Sequence, residues 1–113
     1  GFRQEVLELL LNAMRARAQE RYELVRKLVA SIPKNRKGLA FTLLEYLAMD
    51  VLSISMDPDA VIVNEDFRDD LRRLAGMDRA IHFANRVVEI DRKQVYNLSL
   101  QAAMEDLLLG GDR

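Results

Sequence analysis

The most apolar stretch of the chain covers residues 39–56, where Glu45 and Asp50 are the only charged side chains. Neither Pro nor Gly interrupts it, and Pro33 and Pro58 lie on either side. Its length suits a helix, and apolar residues on nearly every side are typical of a central core helix or a membrane span. Two acids and three hydroxyl residues argue against the membrane. We therefore predict the central helix of a small helical domain.

Residues 2–32 contain neither Pro nor Gly and carry two apolar stripes at helical spacing. A polar stretch at residues 15–21 separates the stripes, and one helix over the whole range would exceed the usual globular length. We therefore predict two helices joined by a short turn. The first stripe is wide, because its main face is extended on one side by Leu7, Leu11 and Met14.

A basic turn precedes the central helix. Residues 31–38 read Ser-Ile-Pro-Lys-Asn-Arg-Lys-Gly, with three positive charges. A few exposed charges bind nucleic acid only weakly and with strong salt dependence. A solvated surface turn is the favoured interpretation.

The chain after Pro58 predicts an extended segment followed by a short helix. Residues 60–63 are apolar, and a strand this short has no evident partner, so we expect the segment to lie across the core. Asn64 is a favourable N-cap, with acids in the first turn after it, and Gly76 lies just past the helix end. The inward face of this helix is predicted to be Phe67, Leu71 and Leu74.

Two more helices are predicted, one beginning at Asp78 and the last at Asn97 or Ser99. The main stripe of the first is Met77, Ile81, Ala84, Val88 and Val95, flanked by Phe83, Val87 and Ile90. The inward face of the last is Leu100, Met104, Leu107 and Leu108. Together the elements predict an all-α fold, in which residues 1–113 form one compact bundle of five to six helices.

Composition narrows the functional classes. The chain has 113 residues, a net charge of −1 and no Cys. The near-neutral charge gives no overall attraction to nucleic acid or anionic lipid. The lack of Cys excludes disulfides and thiolate metal sites, and it is compatible with a reducing compartment.

The sequence offers little of what catalysis requires. It has no GxxxxGK[ST] or GxGxxG loop for phosphates, and its one histidine, His82, gives a metal site or a His-based nucleophilic site almost nothing to build on. Glu45 and Asp50 point about 140° apart on an ideal helix, so they cannot form an acid/base pair. We expect no catalytic residue, no cofactor, no metal ion and no enzymatic activity in this chain.

Asp50 is the most informative acid, because it falls in an otherwise apolar part of the central helix. A carboxylate held near a core needs a partner, either an Arg or a helix N-terminus. The sequence therefore predicts a buried, structural role for Asp50.

Four short stretches resemble a known family. Phe2-Arg3 opens the first helix, residues 47–52 read Leu-Ala-Met-Asp-Val-Leu, residues 61–66 read Val-Ile-Val-Asn-Glu-Asp, and Asn97 precedes the leucine-rich end. In this order they resemble the C-terminal helical (collar) domain of bacterial DNA polymerase III clamp-loader subunits, most closely the delta-prime type. The likeness spans nearly the whole chain, although Met49 stands where the family often has Arg.

The resemblance implies an oligomerisation domain, preceded in the parent subunit by an AAA+ module. The parent complex would be an ATP-driven loader that places the sliding clamp on primed DNA during replication. Its partners would be other clamp-loader subunits in the cytoplasm, with no direct contact to nucleic acid or membrane from this domain. The resemblance implies that Asp50, Asn64 and Asn97 are structural residues.

An oligomerisation domain must present apolar surface to its neighbours. The first and last predicted helices carry more apolar residues than one packing face needs. We therefore expect subunit contacts at Leu7, Leu11, Met14 and Leu109.

Two other functions stay open on the sequence. A stand-alone helical adaptor or regulator would bind a partner peptide in a groove between helices. A nucleic-acid binder would need several basic residues on one exposed face, and in the helix beginning at Asp78 the basic residues are interleaved with Glu89 and Asp91.

Overall fold

A computed structural model describes residues 1–89 of the chain, apart from the side chain of Ala18. These residues form five α-helices and two short 3₁₀ turns, with no strand among them, so the predicted all-α fold is confirmed. The 3₁₀ turns cover Lys34–Arg36 and Glu65–Phe67. The helices are α1 (Phe2–Arg15), α2 (Ala18–Ala30), α3 (Lys37–Met56), α4 (Arg68–Ala75) and α5 (Asp78–Glu89). The predicted last helix lies outside the described residues.

The predicted break between the first two helices occurs at Ala16 and Arg17, whose backbones are extended with ψ of 154° and 155°. A break leaves carbonyls without helical partners, and guanidinium groups donate to two of them. Arg21 Nη2 donates to the Ala16 carbonyl over 2.9 Å. Arg79 Nη2, from α5, donates to the Arg15 carbonyl over 3.0 Å. The prediction of two helices is confirmed.

The central helix is α3, against which α1, α4 and α5 pack. It ends at Met56, as predicted, because Asp57 has an extended backbone and Pro58 cannot continue a helix. It begins at Lys37 rather than Leu39. Its buried side chains are Ala40, Phe41, Leu43, Leu44, Leu47, Ala48, Asp50, Val51 and Ile54.

In the described part of the chain, Lys34–Met56 has the length and apolar composition of a membrane-spanning helix. Half of its most apolar window is buried inside the domain. The core helix of a soluble protein has the same composition, so this composition does not establish a membrane location.

The segment after α3 and the helices that follow it complete the core. Residues 60–63 have no regular structure, and Ile62 points inward while Val61 and Val63 are exposed. The predicted inward residues of α4 are buried, as predicted. The face of α5 differs from the prediction: Val88 is 48% exposed, and the buried residues are Ala80, Phe83, Ala84 and Val87.

Candidate functional site: the Asp50 network and the exposed face of α3

The centre of the candidate site is Asp50, which is 3% exposed in α3. Its Oδ1 accepts a hydrogen bond from the Val63 N–H over 3.0 Å, and its Oδ2 accepts from the Asn64 N–H over 2.8 Å and from Asn64 Nδ2 over 2.7 Å. These donors compensate the carboxylate for the water that burial removes. The predicted burial is confirmed. Of the two predicted kinds of partner, an Arg or a helix N-terminus, the structure shows amides at and just before the N-cap of the second 3₁₀ turn and no Arg bonded directly to Asp50 among these contacts.

Asn64 lies at the N-cap position of that 3₁₀ turn, but its side chain makes no capping hydrogen bond. Its Nδ2 donates to Asp50, and its Oδ1 accepts from Arg3 Nη2 over 2.8 Å. Asn64 therefore takes the predicted N-cap position, but the capping bond expected from its side chain is not made. The amide bridges two helices instead, because both of its polar atoms have tertiary partners.

Arg3 closes the network from α1. Its Nη2 and Nη1 donate to the two carboxylate oxygens of Asp66 over 2.8 and 2.9 Å, and its guanidinium lies 5.8 Å from the ring centroid of Phe67. The hydrogen bond from Arg3 lowers the pKa of the Asp66 carboxyl, and the same bond raises the pKa of Arg3. This paired geometry fixes the orientation of α1 relative to the segment after α3.

Arg68, at the start of α4, holds the other side of the same segment. Its Nε and Nη2 donate to the two carboxylate oxygens of Glu65 over 2.6 and 2.7 Å, which lowers the pKa of Glu65. Its Nη1 and Nη2 also donate to the carbonyls of Pro58 and Ala60 over 2.8 and 2.6 Å. Arg72 adds a donor to the Pro58 carbonyl over 3.3 Å. Two arginines thus satisfy the carbonyls of an irregular segment.

We call the set of Arg3, Asp50, Val63, Asn64 and Asp66 the Asp50 network. Both oxygens of its central carboxylate are occupied by donors and shielded from water. A carboxylate held this way joins segments of the chain, and its burial keeps it away from a substrate. The network therefore joins α1, α3 and the segment between α3 and α4, and its role is structural.

No metal or catalytic constellation stands out in residues 1–89. No group of three His, Asp or Glu residues there could hold a metal ion, and His82 is exposed on α5. An open depression of about 300 Å³ lies beside the end of α3, with Arg72 as its charged residue. Such a depression lacks the converging polar groups of a ligand site.

The predicted subunit contacts on α1 are wrong. Leu7, Leu11 and Met14 are 0%, 1% and 4% exposed, because α1 packs against α2, α3 and α4 at once and needs a wide apolar surface. These side chains belong to the core and cannot contact a neighbouring subunit. Leu109 and Asn97 lie outside the described residues.

Four of the exposed large apolar residues lie on α3. Leu39 is 50% exposed, Tyr46 43%, Met49 53% and Met56 88%. This face was not predicted, because the helix is apolar on nearly every side and its whole circumference is compatible with a core position. The signal that could have revealed it is the spacing of these residues, which repeats along one side of the helix.

No protein-family model, curated protein or solved structure matches the chain. A functional proposal therefore rests on the residues and their geometry.

Proposed function

We propose that this chain is the oligomerisation (collar) domain of a bacterial DNA polymerase III clamp-loader subunit of the delta-prime type. It associates with the equivalent domains of other loader subunits and so holds together the complex that places the sliding clamp on primed DNA. The domain itself has no catalytic role, and ATP hydrolysis belongs to the AAA+ modules of the complex.

The observation that carries the proposal is the meeting of three stretches that resemble the family. Arg3 comes from the first stretch, Asp50 from residues 47–52, and Asn64 with Asp66 from residues 61–66. They are up to 63 positions apart in the chain, yet they form one hydrogen-bonded network. Chance likenesses at unrelated positions would have no reason to converge. The convergence supports a shared architecture that depends on these residues.

The exposed apolar residues of α3 support an assembly role as well. Large apolar side chains that remain in contact with water are typical of surfaces that bind another protein. The Asp50 network holds its oxygens in internal bonds, so it is not a contact surface for another protein.

Reconstitution tests the proposal. The full chain, carrying an affinity tag, is mixed with the other purified subunits of a bacterial clamp loader and analysed by size-exclusion chromatography. We expect the chain to elute with those subunits in fixed stoichiometry. An unrelated all-α domain of similar size and net charge, carrying the same tag, is the control and elutes alone.

Separate elution of the chain at every concentration would contradict the collar proposal. Retention of a short amphipathic peptide in place of the loader subunits would favour the adaptor alternative.

A further inference from the structure

The exposed face of α3 carries six residues in alternating steps of three and four positions. These are the a and d positions of a heptad repeat, the spacing at which two helices pack side by side with interlocking side chains. Thr42 and Ser53 are half-buried, and the other four are large apolar residues that remain exposed. We call this set the α3 stripe: Leu39, Thr42, Tyr46, Met49, Ser53 and Met56.

The α3 stripe shows a similar order of residue types when it is read from either end. Each member has a counterpart of similar chemistry at the same distance from the midpoint of the stripe, which lies between Leu47 and Ala48. An antiparallel copy of the helix therefore places large apolar residues against large apolar residues and hydroxyl residues against hydroxyl residues. The pairs, from the outside inward, are Leu39 with Met56, Thr42 with Ser53, and Tyr46 with Met49.

The two ends of the stripe differ in charge. Lys34 and Arg36 are exposed just before α3, and Asp57 and Asp59 are exposed just after it. Asp59 also forms an ion pair with Arg72 at 3.1 Å. An antiparallel copy brings each basic end beside an acidic end, whereas a parallel copy would bring like charges together.

We propose that the α3 stripe binds the α3 stripe of a second copy of this chain. The two helices run antiparallel, and a two-fold axis passes midway along the stripe, so that Tyr46 of each copy packs against Met49 of the other. The same patch serves both copies, as in any two-fold interface. The proposal is independent of the clamp-loader assignment, because it uses only this chain's own surface.

The dimer is expected to be weak. At 1.5 Å per residue the stripe is about 25 Å long, and a helix is about 10 Å wide, so the total buried area falls below the roughly 1,200 Å² of stable complexes. Burial of the Thr42 hydroxyl costs little, because Thr42 Oγ1 already donates to the Gly38 carbonyl over 3.1 Å. Self-association should therefore depend strongly on protein concentration.

A charge-exchange experiment with the full chain tests the arrangement. Sedimentation equilibrium over a wide concentration range measures self-association of the wild type, of Tyr46→Glu and of Met49→Lys. We expect each variant alone to associate at least about tenfold more weakly, since an unpaired charge then faces an apolar partner. An equimolar mixture should recover association, because antiparallel pairing sets the introduced carboxylate at position 46 against the introduced ammonium at position 49.

A matched control is available on another helix. Tyr22 on α2 is 46% exposed, close to the 43% of Tyr46. Tyr22→Glu should leave self-association unchanged, and all three variants should keep the thermal midpoint of the wild type.

Several results would overturn the proposal. One is a wild-type chain that is monomeric throughout the concentration range. If, in that case, Tyr46→Glu also weakens elution with the loader subunits, the stripe binds a different chain. Others are self-association that survives Tyr46→Glu, or a mixture that recovers nothing. A lowered thermal midpoint for Tyr46→Glu would mean that the stripe is covered by this chain's own residues.

Discussion

The two ends of α3 are built in opposite ways. After Met56 the chain is irregular, but hydrogen bonds hold it in place. Asp50 and Asn64 make them in the interior, and Arg3 and Arg68 make them nearer the surface. Before Lys37 the chain makes an exposed turn, in which the Arg36 N–H donates to the Pro33 carbonyl over 2.9 Å and the Arg36 guanidinium lies 5.0 Å from the ring centroid of Phe2.

The difference shows where a polar side chain stabilises the fold and where it only faces water. On the carboxyl side of α3, a buried acid and a buried amide are each surrounded by partners, so removal of either leaves polar groups without bonds. On the amino side, Lys34, Asn35 and Arg36 are exposed, and water replaces whatever contact a substitution removes. The same residue type should therefore have different effects at the two ends.

The largest effect is expected for Asp50→Ala. It removes the acceptor for three donors on Val63 and Asn64, and the free energy of unfolding should fall by about 3–5 kcal/mol. Urea denaturation followed by circular dichroism measures this loss. Asp57→Ala is the control and should lower the midpoint far less, because it removes only one exposed acceptor, for the Asp59 N–H at 3.0 Å. Equal midpoints for Asp50→Ala and the wild type would show that the network is dispensable.

A matched pair of asparagines sharpens the comparison. Asn64→Ala breaks the bridge between Asp50 and Arg3 and should cost about 1–3 kcal/mol of unfolding free energy, because a buried carboxylate loses a donor. Asn35→Ala, in the exposed basic turn, should leave the midpoint nearly unchanged. Thermal melts of both variants make the test. If the two substitutions destabilise equally, the two ends of α3 do not differ as described.

The smallest effect concerns pH. The bond from Arg3 holds the pKa of Asp66 below its usual value of 3.8 in the folded chain, so the unfolded chain binds more protons in this range. The contribution of Asp66 is therefore present above about pH 4 and is lost as the pH falls through the lowered pKa. It should be small, since Asp66 is partly exposed.

Thermal midpoints between pH 5 and pH about 2.5 should fall slightly more steeply for the wild type than for Asp66→Asn. Parallel curves for the two proteins would show that this pair does not contribute to folding.

The role of Asp50 could be predicted only in part. An acid in an apolar helix must be either exposed or compensated, so its burial with a partner followed from the sequence. The identity of the partner did not, because Val63 and Asn64 reach Asp50 through the path of an irregular segment. Local preference marked Asn64 as a helix cap, whereas the tertiary fold uses both of its polar atoms elsewhere.

The buried faces of α1 and α5 were likewise predicted only in part. Periodicity correctly placed both helices, but it did not say how many neighbours each would meet. Three neighbouring helices bury the full width of α1, including Leu11, which was expected to face a subunit. On α5 two adjacent stripes were compatible with the sequence, and packing against α3 buries Phe83 and Val87 and leaves Val88 exposed.

Local information sufficed for the helical character of the chain, for the break between α1 and α2, and for the position at which α3 ends. Each of these depends on neighbouring residues: helix propensity, apolar spacing, and a Pro that stops the backbone ladder. The covered and uncovered sides of α3 could not be read this way, because a helix that is apolar nearly all round fits several arrangements of neighbours. Contacts between residues far apart in the chain determine the arrangement, in which Asp50 is buried and Tyr46 and Met49 face the solvent.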